Sequence, residues 1–304
     1  MQVHFGVGTL RAEWRKAVVC LGTFDGVHLG HQAVVRNAVN LAQTHELPCV
    51  LVTFDRHPAA VLAPSRCPKT IAGLQENLRA FKSLGVSATA VLPFDIELSR
   101  MSAERFLREI LLGSVRAAKI VVGHDFAMGH GREGTTEWLS ARVPTVVVPA
   151  FEVDGLRVSS SAIRQAVSAG EMERANALLG RPFALSGVVV GGQKLGRKLG
   201  YPTANIARSF DQVMPMDGIY ASWIETPLGR FKAATSIGTR PAVGGQDRTI
   251  ESYLLDYPGD SIYGAAIELE LIHRVREERN FPSLEALTSQ IERDVQDIRE
   301  LMHS

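Results

Sequence analysis

The chain is poor in the features that mark secreted, membrane-spanning or nucleic-acid-coating proteins. It has three cysteines in 304 residues, Cys20, Cys49 and Cys67, and none forms a C-x-x-C pair. Two of them lie in apolar strand-like runs, so buried reduced thiols are expected rather than disulfides or a cysteine metal site. Neither sign of charge dominates: 33 Lys plus Arg face 32 Asp plus Glu. That balance gives no support to a bulk nucleic-acid or membrane-surface partner. No run reaches the ~18 apolar residues of a membrane-spanning helix, and the first residues lack the cationic and apolar segments of a secretory signal. The expected location is the cytoplasm. Internal repeats and low-complexity tracts are also missing.

What is present divides in two. The length suits two domains of ordinary size. In the first half, apolar runs at Val18–Leu21, Cys49–Phe54, Thr89–Leu92, Lys119–Val122 and Thr145–Val148 alternate with helical patterns near 30–45, 73–84, 102–112 and 134–141. Repeated strand–helix–strand units predict a parallel sheet with right-handed crossovers. Two short helices are expected at Ser160–Ala169 and Glu171–Leu179, stopped by Gly170 and Gly180. Beyond Phe183 the pattern changes to short apolar or alternating runs at Leu185–Val190, Ile219–Glu225, Phe231–Ile237, Ile250–Asp256 and Ala266–Ile272, which predict an antiparallel barrel. Ser283 is placed to cap a last helix whose Leu284, Leu287, Ile291, Val295 and Ile298 form one stripe for packing on the barrel. The boundary is expected near Gly180–Ala184, giving domains 1–182 and 183–304.

The strongest motif is Gly22-Thr23-Phe24-Asp25-Gly26-Val27-His28-Leu29-Gly30-His31, between the first strand and first helix. An H-x-x-H pair alone is balanced between a nucleotide site and the plainer readings, a satisfied surface turn or half a metal site. At a helix start it has more to offer, because free backbone N–H groups and the helix dipole attract anions and the imidazoles can donate to oxygens gaining charge. With glycines that admit a ligand to the backbone, this reads as a nucleotide site. Three further segments belong to the same strand ends: Thr53-Phe54-Asp55-Arg56-His57-Pro58, Gly123-His124-Asp125-Phe126-Ala127-Met128-Gly129, and Val158-Ser159-Ser160-Ser161-Ala162-Ile163-Arg164. Singly, each also fits a turn or a routine helix cap.

The second half carries its own phosphate signal, a glycine-rich cationic loop from Gly191 and Gly192 through Gly196, Arg197 and Gly200 into a Pro202-Thr203-Ala204-Asn205 turn. Mobile glycines with Arg and Lys donors can wrap phosphates, while a Thr hydroxyl and an Asn carbonyl are hard oxygen ligands suited to Mg²⁺. No Walker A spacing occurs. Glu251, in a strand candidate, is either a surface carboxylate or a base able to deprotonate an alcohol beside bound phosphate.

In their order, these motifs resemble the bacterial bifunctional riboflavin kinase/FAD synthetases nearly end to end. The resemblance implies a Rossmann-like FMN adenylyltransferase domain, then a six-stranded antiparallel β-barrel with a terminal helix, the riboflavin kinase. Gly196-Arg197, Leu199-Gly200, Pro202 to Asn205, Gly218-Ile219-Tyr220, Glu251 to Asp256 and Tyr263-Gly264 match the kinase signature. It implies that ATP phosphorylates riboflavin to FMN and then adenylylates FMN to FAD. On the kinase side it makes Glu251 the base, Thr203 and Asn205 the Mg²⁺ ligands, and Gly192, Gly196, Arg197, Gly200, Pro202, Arg276 and Phe281 the walls of the ATP and flavin sites. On the adenylyltransferase side it gives His28, His31 and Arg164 the phosphates. Nucleotide or flavin binding falls to Gly22, Phe24, Asp25, Gly30, Phe54, Pro58, Gly123, Asp125, Phe126, Ser159 and Ser160. The expected partners are riboflavin, FMN, FAD and ATP, with no nucleic acid or membrane; oligomeric state is not legible. Four positions depart from the family pattern: Met128 stands where Phe is usual, Ser161 where Thr is usual, and Ser236 to Ala242 has Ser first and Ala last rather than Asn and Thr. That last stretch, read as a loop, is left out of the catalytic assignment.

Overall fold

The computed structural model describes residues 1–6, 8, 14–192, 200–208, 210–242, 245–259 and 261–302. By backbone compactness the chain forms two units, Met1–Ser160 and Ser161–Ser304. The break precedes the expected boundary, because the helices expected before residue 183 go with the barrel's unit. The second of them, Met172–Leu179, buries Met172, Ala175, Leu178 and Leu179. Its Asn176 accepts from Phe183 N (2.7 Å) and donates to Leu271 O (2.9 Å), tying it to two barrel strands.

The first unit is a six-stranded sheet in the order Gln2–Phe5, Ala88–Leu92, Cys49–Phe54, Ala17–Leu21, Ala117–Gly123, Thr145–Val148. Every neighbouring pair is parallel. The edge strand Gln2–Phe5 was not expected from the sequence. Central strands are mostly apolar because both faces are covered, and Ala17–Leu21 is apolar along its whole length. Val19, Leu21, Val50 and Val52 enter the core on one face, and Val18, Cys20, Cys49 and Leu51 that on the other. Burial pushes the Cys49 thiol up to about 12, and burial and then Cys49 push Cys20 well above the ordinary range. Both are free thiols, as is Cys67. The expected helix over 102–112 is a single turn, Ala103–Arg105, running into the π-helical Phe106–Ser114. Chain order runs outward from Ala17–Leu21 to Ala88–Leu92, then reverses to Ala117–Gly123 on the other side. The switch point therefore lies between the strand ends at Leu21 and Gly123, where open α/β sheets bind ligands.

The second unit is a closed barrel in the order Phe183–Val190, Thr203–Arg208, Gly245–Leu254, Gly229–Ala242, Gly218–Thr226, Ala266–Arg276. Antiparallel pairing of Phe183–Val188 with Ala266–Leu271 closes it. Two readings are corrected here. The Pro-Thr-Ala-Asn segment is not a turn: Thr203–Arg208 is the sixth strand, with Ala204 and Ile206 pointing inward. The expected strand run Phe231–Ile237 extends to Ala242, so Gly238 to Ala242 belong to the strand Gly229–Ala242 and not to a loop. Inside the barrel the buried hydroxyls of Ser222, Thr235 and Ser252 satisfy one another at 2.7 and 2.9 Å.

Ser283 caps the last helix, Leu284–Leu301, its Oγ accepting from Ala286 N. Of the expected stripe, Ile298 and Val295 pack with Ala221 and Leu255, while Leu284 is exposed. The Arg276–Asp294 pair (2.8 and 2.6 Å), nearly buried, pins the middle of the helix to the last strand.

Candidate active sites

The loop after Ala17–Leu21 is bent hard. Phe24 (φ 49°) and Val27 (φ 41°) both take the left-handed conformation, which costs a non-glycine residue about 1–3 kcal/mol. Burial of both side chains holds them there: Phe24 packs edge-on to Phe81 (5.7 Å) and to His31 (5.3 Å), and Val27 is fully buried. The bend brings His28 to the N-cap of helix Leu29–Thr44, where its Nδ1 accepts from His31 N (3.2 Å). A backbone N–H can only donate, so Nδ1 is the unprotonated nitrogen and Nε2 carries the proton. The two imidazoles stack at 3.6 Å, inclined by 16°. A Cβ on Gly30 would stand 3.2 Å from the His28 ring, so a side chain there would press on it.

Around this pair the structure gathers several expected residues. Gly22 lies against the Phe24 ring. The buried Asp25 carboxylate accepts from Ile71 N (2.9 Å) and Ala72 N (3.3 Å), fastening the 70–72 segment to the loop. Ser160 Oγ donates to Asp25 O (3.4 Å), and Val158 O lies beside Gly30, so the 158–160 segment adjoins the histidine loop. Gly123 ends the strand across the switch point, with Asp125 Oδ1 next to it. Asp125 is exposed and paired with Arg157 (3.2 Å). Phe126 and Met128 pack into the core on one face of the sheet, so the Met128 departure is a matter of core packing. Phe54 ends its strand edge-on to Phe94 (5.2 Å). Pro58 opens the short helix Ala59–Leu62. Burial would raise the neighbouring Asp55 carboxyl, but hydrogen bonds from Arg56 and Phe94 N outweigh it and hold it below its ordinary value. Ser159 is half-buried beside Ser160; Arg164 lies one turn into helix Ser160–Ala169, in the second unit.

In the barrel, Asn205 is directly opposite Glu251, and Thr203 opposite Tyr253. Side chains two apart share a face, so Thr203, Asn205 and Glu251 stand together on the outer, half-exposed side. Thr203 Oγ1 donates to Glu251 Oε2 (3.3 Å). Gly192 lies so close that a Cβ there would fall 2.2 Å from Asn205 Nδ2. Gly200 turns the chain at φ 84°, ahead of the exposed Pro202. Tyr201 meets Tyr253 edge-on (5.2 Å), and burial and then Glu292 raise its phenol above the ordinary range. Gly196 and Arg197 lie outside the described residues. The Arg276 guanidinium is held by Asp294 and rides over Phe281 at 5.8 Å. Sequence reasoning missed Asp294 as the partner of Arg276, and the Asp25 link to residues 71–72; neither pairing leaves a local signal, since the partners are far apart in the chain.

Residues 10–162 match the FAD synthetase family model and residues 179–302 the riboflavin kinase model. The bifunctional riboflavin kinase/FMN adenylyltransferase of Escherichia coli K12 is 36% identical over 310 residues, covering 99% of this chain and 97% of that protein. The protein of the same name in Bacillus subtilis is 33% identical, covering 95% and 93%. A solved structure described as a macrolide-efflux protein from Streptococcus pneumoniae shares the fold at TM-score 0.92 and 30% identity, over 98% of this chain and 99% of that one. Among the described residues no helix is long and apolar enough to cross a membrane. With both family models matched in order and relatives alike over nearly their full length, the chain belongs to the bifunctional riboflavin kinase/FMN adenylyltransferase family.

Proposed function

We propose how residues 1–182 and 183–304 divide the work of a riboflavin kinase and FMN adenylyltransferase that uses ATP as co-substrate. The barrel, whose six strands all lie within residues 183–304, phosphorylates riboflavin; residues 1–182 carry the adenylyl transfer. The observation that carries the kinase reading is the alignment of Thr203, Asn205 and Glu251 on one barrel face.

A primary alcohol is a weak nucleophile near neutral pH. Glu251 accepts its proton as the oxygen attacks the γ-phosphate of ATP, and ADP leaves. The Thr203 hydroxyl fixes one carboxylate oxygen. Two neutral oxygen donors, Thr203 Oγ1 and the Asn205 amide, beside a carboxylate fit Mg²⁺, and Gly192, with no Cβ, lets the amide lie against the chain there. Bound there, Mg²⁺ would offset the phosphate charge. Gly192 and Gly200 flank the phosphates, while Pro202 and Phe281 border the flavin and nucleotide. Arg276 serves this wall by holding the helix through Asp294.

The adenylyl transfer needs no strong base, because the FMN phosphate is already ionised at neutral pH. Positioning and charge stabilisation are the remaining tasks. His28 Nε2–H and His31 donate to the ATP phosphates at the helix N-terminus. Gly22 and Gly30 let the nucleotide approach the backbone. Phe24 and Asp25 shape the loop; Phe54, Pro58, Gly123, Asp125, Phe126, Ser159 and Ser160 line the strand ends for nucleotide and flavin. Free thiols and an ATP requirement favour the cytoplasm.

The experiment is a crossed pair of variants. His31→Ala should slow FAD formation from FMN by roughly 10²–10³, the usual cost of a transition-state donor, and spare riboflavin phosphorylation. Glu251→Gln should slow phosphorylation by roughly 10²–10⁴ and spare FAD formation. Loss of both activities in either folded variant would refute separate sites.

A further inference from the structure

The strand that carries Glu251 pairs with a neighbour on each side. On one side Asn205 is directly opposite Glu251; on the other, in Gly229–Ala242, the residue directly opposite is Ser236. The three form a single row across the barrel surface, all half-buried. Directly opposed residues place their Cβ atoms about 4.5–5.5 Å apart, within reach of a serine hydroxyl and a glutamate carboxylate. The other positions flanking Glu251 along this face are filled differently. Ala234 faces Tyr253 and has no polar group, and Gly238 faces Thr249 and leaves its space to the Glu278 carboxylate. Ser236 is thus the hydroxyl of its own strand level with Glu251.

We propose that Ser236 is a positioning residue for phosphorylation. By rotation about its Cα–Cβ bond, its hydroxyl reaches the Glu251 carboxylate from the strand opposite Thr203 when the substrate alcohol is bound, so that the carboxylate is then gripped from both sides and presents a fixed lone pair. The geometry has a chemical consequence. A glutamate side chain has three rotatable bonds, and an anchor on one oxygen alone leaves the carboxylate free to swing. Anchors on both flanking strands limit that motion, the requirement for a base that must meet the alcohol at hydrogen-bond distance. The proposal rests on Glu251 being the base.

The test uses the full chain and a double-mutant cycle. Ser236→Ala should lower the turnover of riboflavin phosphorylation by roughly 10–100-fold, the factor for one hydrogen bond to a charged group, with KM for ATP unchanged. FAD formation from FMN by the same variant should stay at the wild-type rate, which also reports that the chain is folded. Ser236→Thr, well suited to a strand, should restore turnover. In a Glu251→Gln background, Ser236→Ala should change the residual rate by less than about 2-fold, because its effect passes through the carboxylate. Should Ser236→Ala fail to fold, Ser236→Cys carries the same comparison with a weaker donor and an intermediate rate. Wild-type turnover in Ser236→Ala, an equal loss in both backgrounds, or no rescue by threonine would overturn the proposal. Near wild-type phosphorylation by Glu251→Gln alone would instead overturn the base on which it rests.

Discussion

Gly192→Ala adds one methyl group at the point where the glycine loop meets the kinase face. The added Cβ would stand 2.2 Å from Asn205 Nδ2 and 2.5 Å from its Cγ. That is about 1 Å inside ordinary contact distance, so one partner must move. The Asn205 backbone is locked by pairing with both neighbouring strands, whereas its amide ends a short rotatable chain; the amide moves. Displacing a reacting or ligand-holding group by ~1 Å costs roughly 10² in rate. Phosphorylation of riboflavin should therefore fall about 10²-fold while the barrel stays folded and FAD formation from FMN is unaffected. Gly191→Ala is the matched control. A Cβ there meets nothing within 4 Å, so it stiffens the same loop without touching Asn205. Initial rates of FMN formation, with products separated chromatographically, decide the matter. Wild-type turnover in Gly192→Ala would remove Asn205 from the reacting geometry. An equal loss in Gly191→Ala would show that loop freedom, not the amide contact, is what matters.

Other expectations follow from single contacts. Asp294→Ala strands the Arg276 guanidinium in a nearly buried place; removing one member of a buried pair costs about 3–5 kcal/mol, measurable by urea unfolding of the full chain. His28→Asn separates capping from catalysis: an Asn oxygen still accepts from His31 N, so stability should change by well under ~1 kcal/mol, while FAD formation drops by roughly 10²–10³ with the Nε2 donor gone. Asp55 has a lowered carboxyl value in the fold. Its contribution is therefore complete above the ordinary carboxylate range and is lost as pH falls through the lower folded value. Asp55→Asn should be less stable than wild type at neutral pH and lose less on acidification between those two values, as followed by thermal melts across the acid range.

The fold was legible where burial imposes a period. Ala17–Leu21, Cys49–Phe54 and Ala88–Leu92 are covered on both faces and read as mostly apolar runs. Barrel strands with an alternating inside and outside were found for the same reason, as with Phe183–Val190, which alternates buried and exposed positions. Thr203–Arg208 escaped because its inward residues are only Ala204 and Ile206, and Ala and Asn are poor strand formers. Its place comes from tertiary pairing with Phe183–Val190 and Gly245–Leu254, which no local pattern reports. The edge strand Gln2–Phe5 pairs on one side only and is largely exposed, so burial writes little of it into the sequence.

The candidate sites divide along the same physical line. His28 and His31 are three residues apart at a helix start, so their juxtaposition follows from chain geometry and was readable in advance. Thr203, Asn205, Glu251 and Ser236 are brought together by register across three strands, and a register shift of one residue would turn each to the opposite face. A residue type can suggest such a site, but only the pairing can assemble it. Ser236 lies in the run Phe231–Ile237 that reads as a strand, but its level against Glu251 is set by tertiary pairing that no local pattern reports. Once paired, it acquires a neighbour of known chemistry at a known level, and a silent position becomes a testable one.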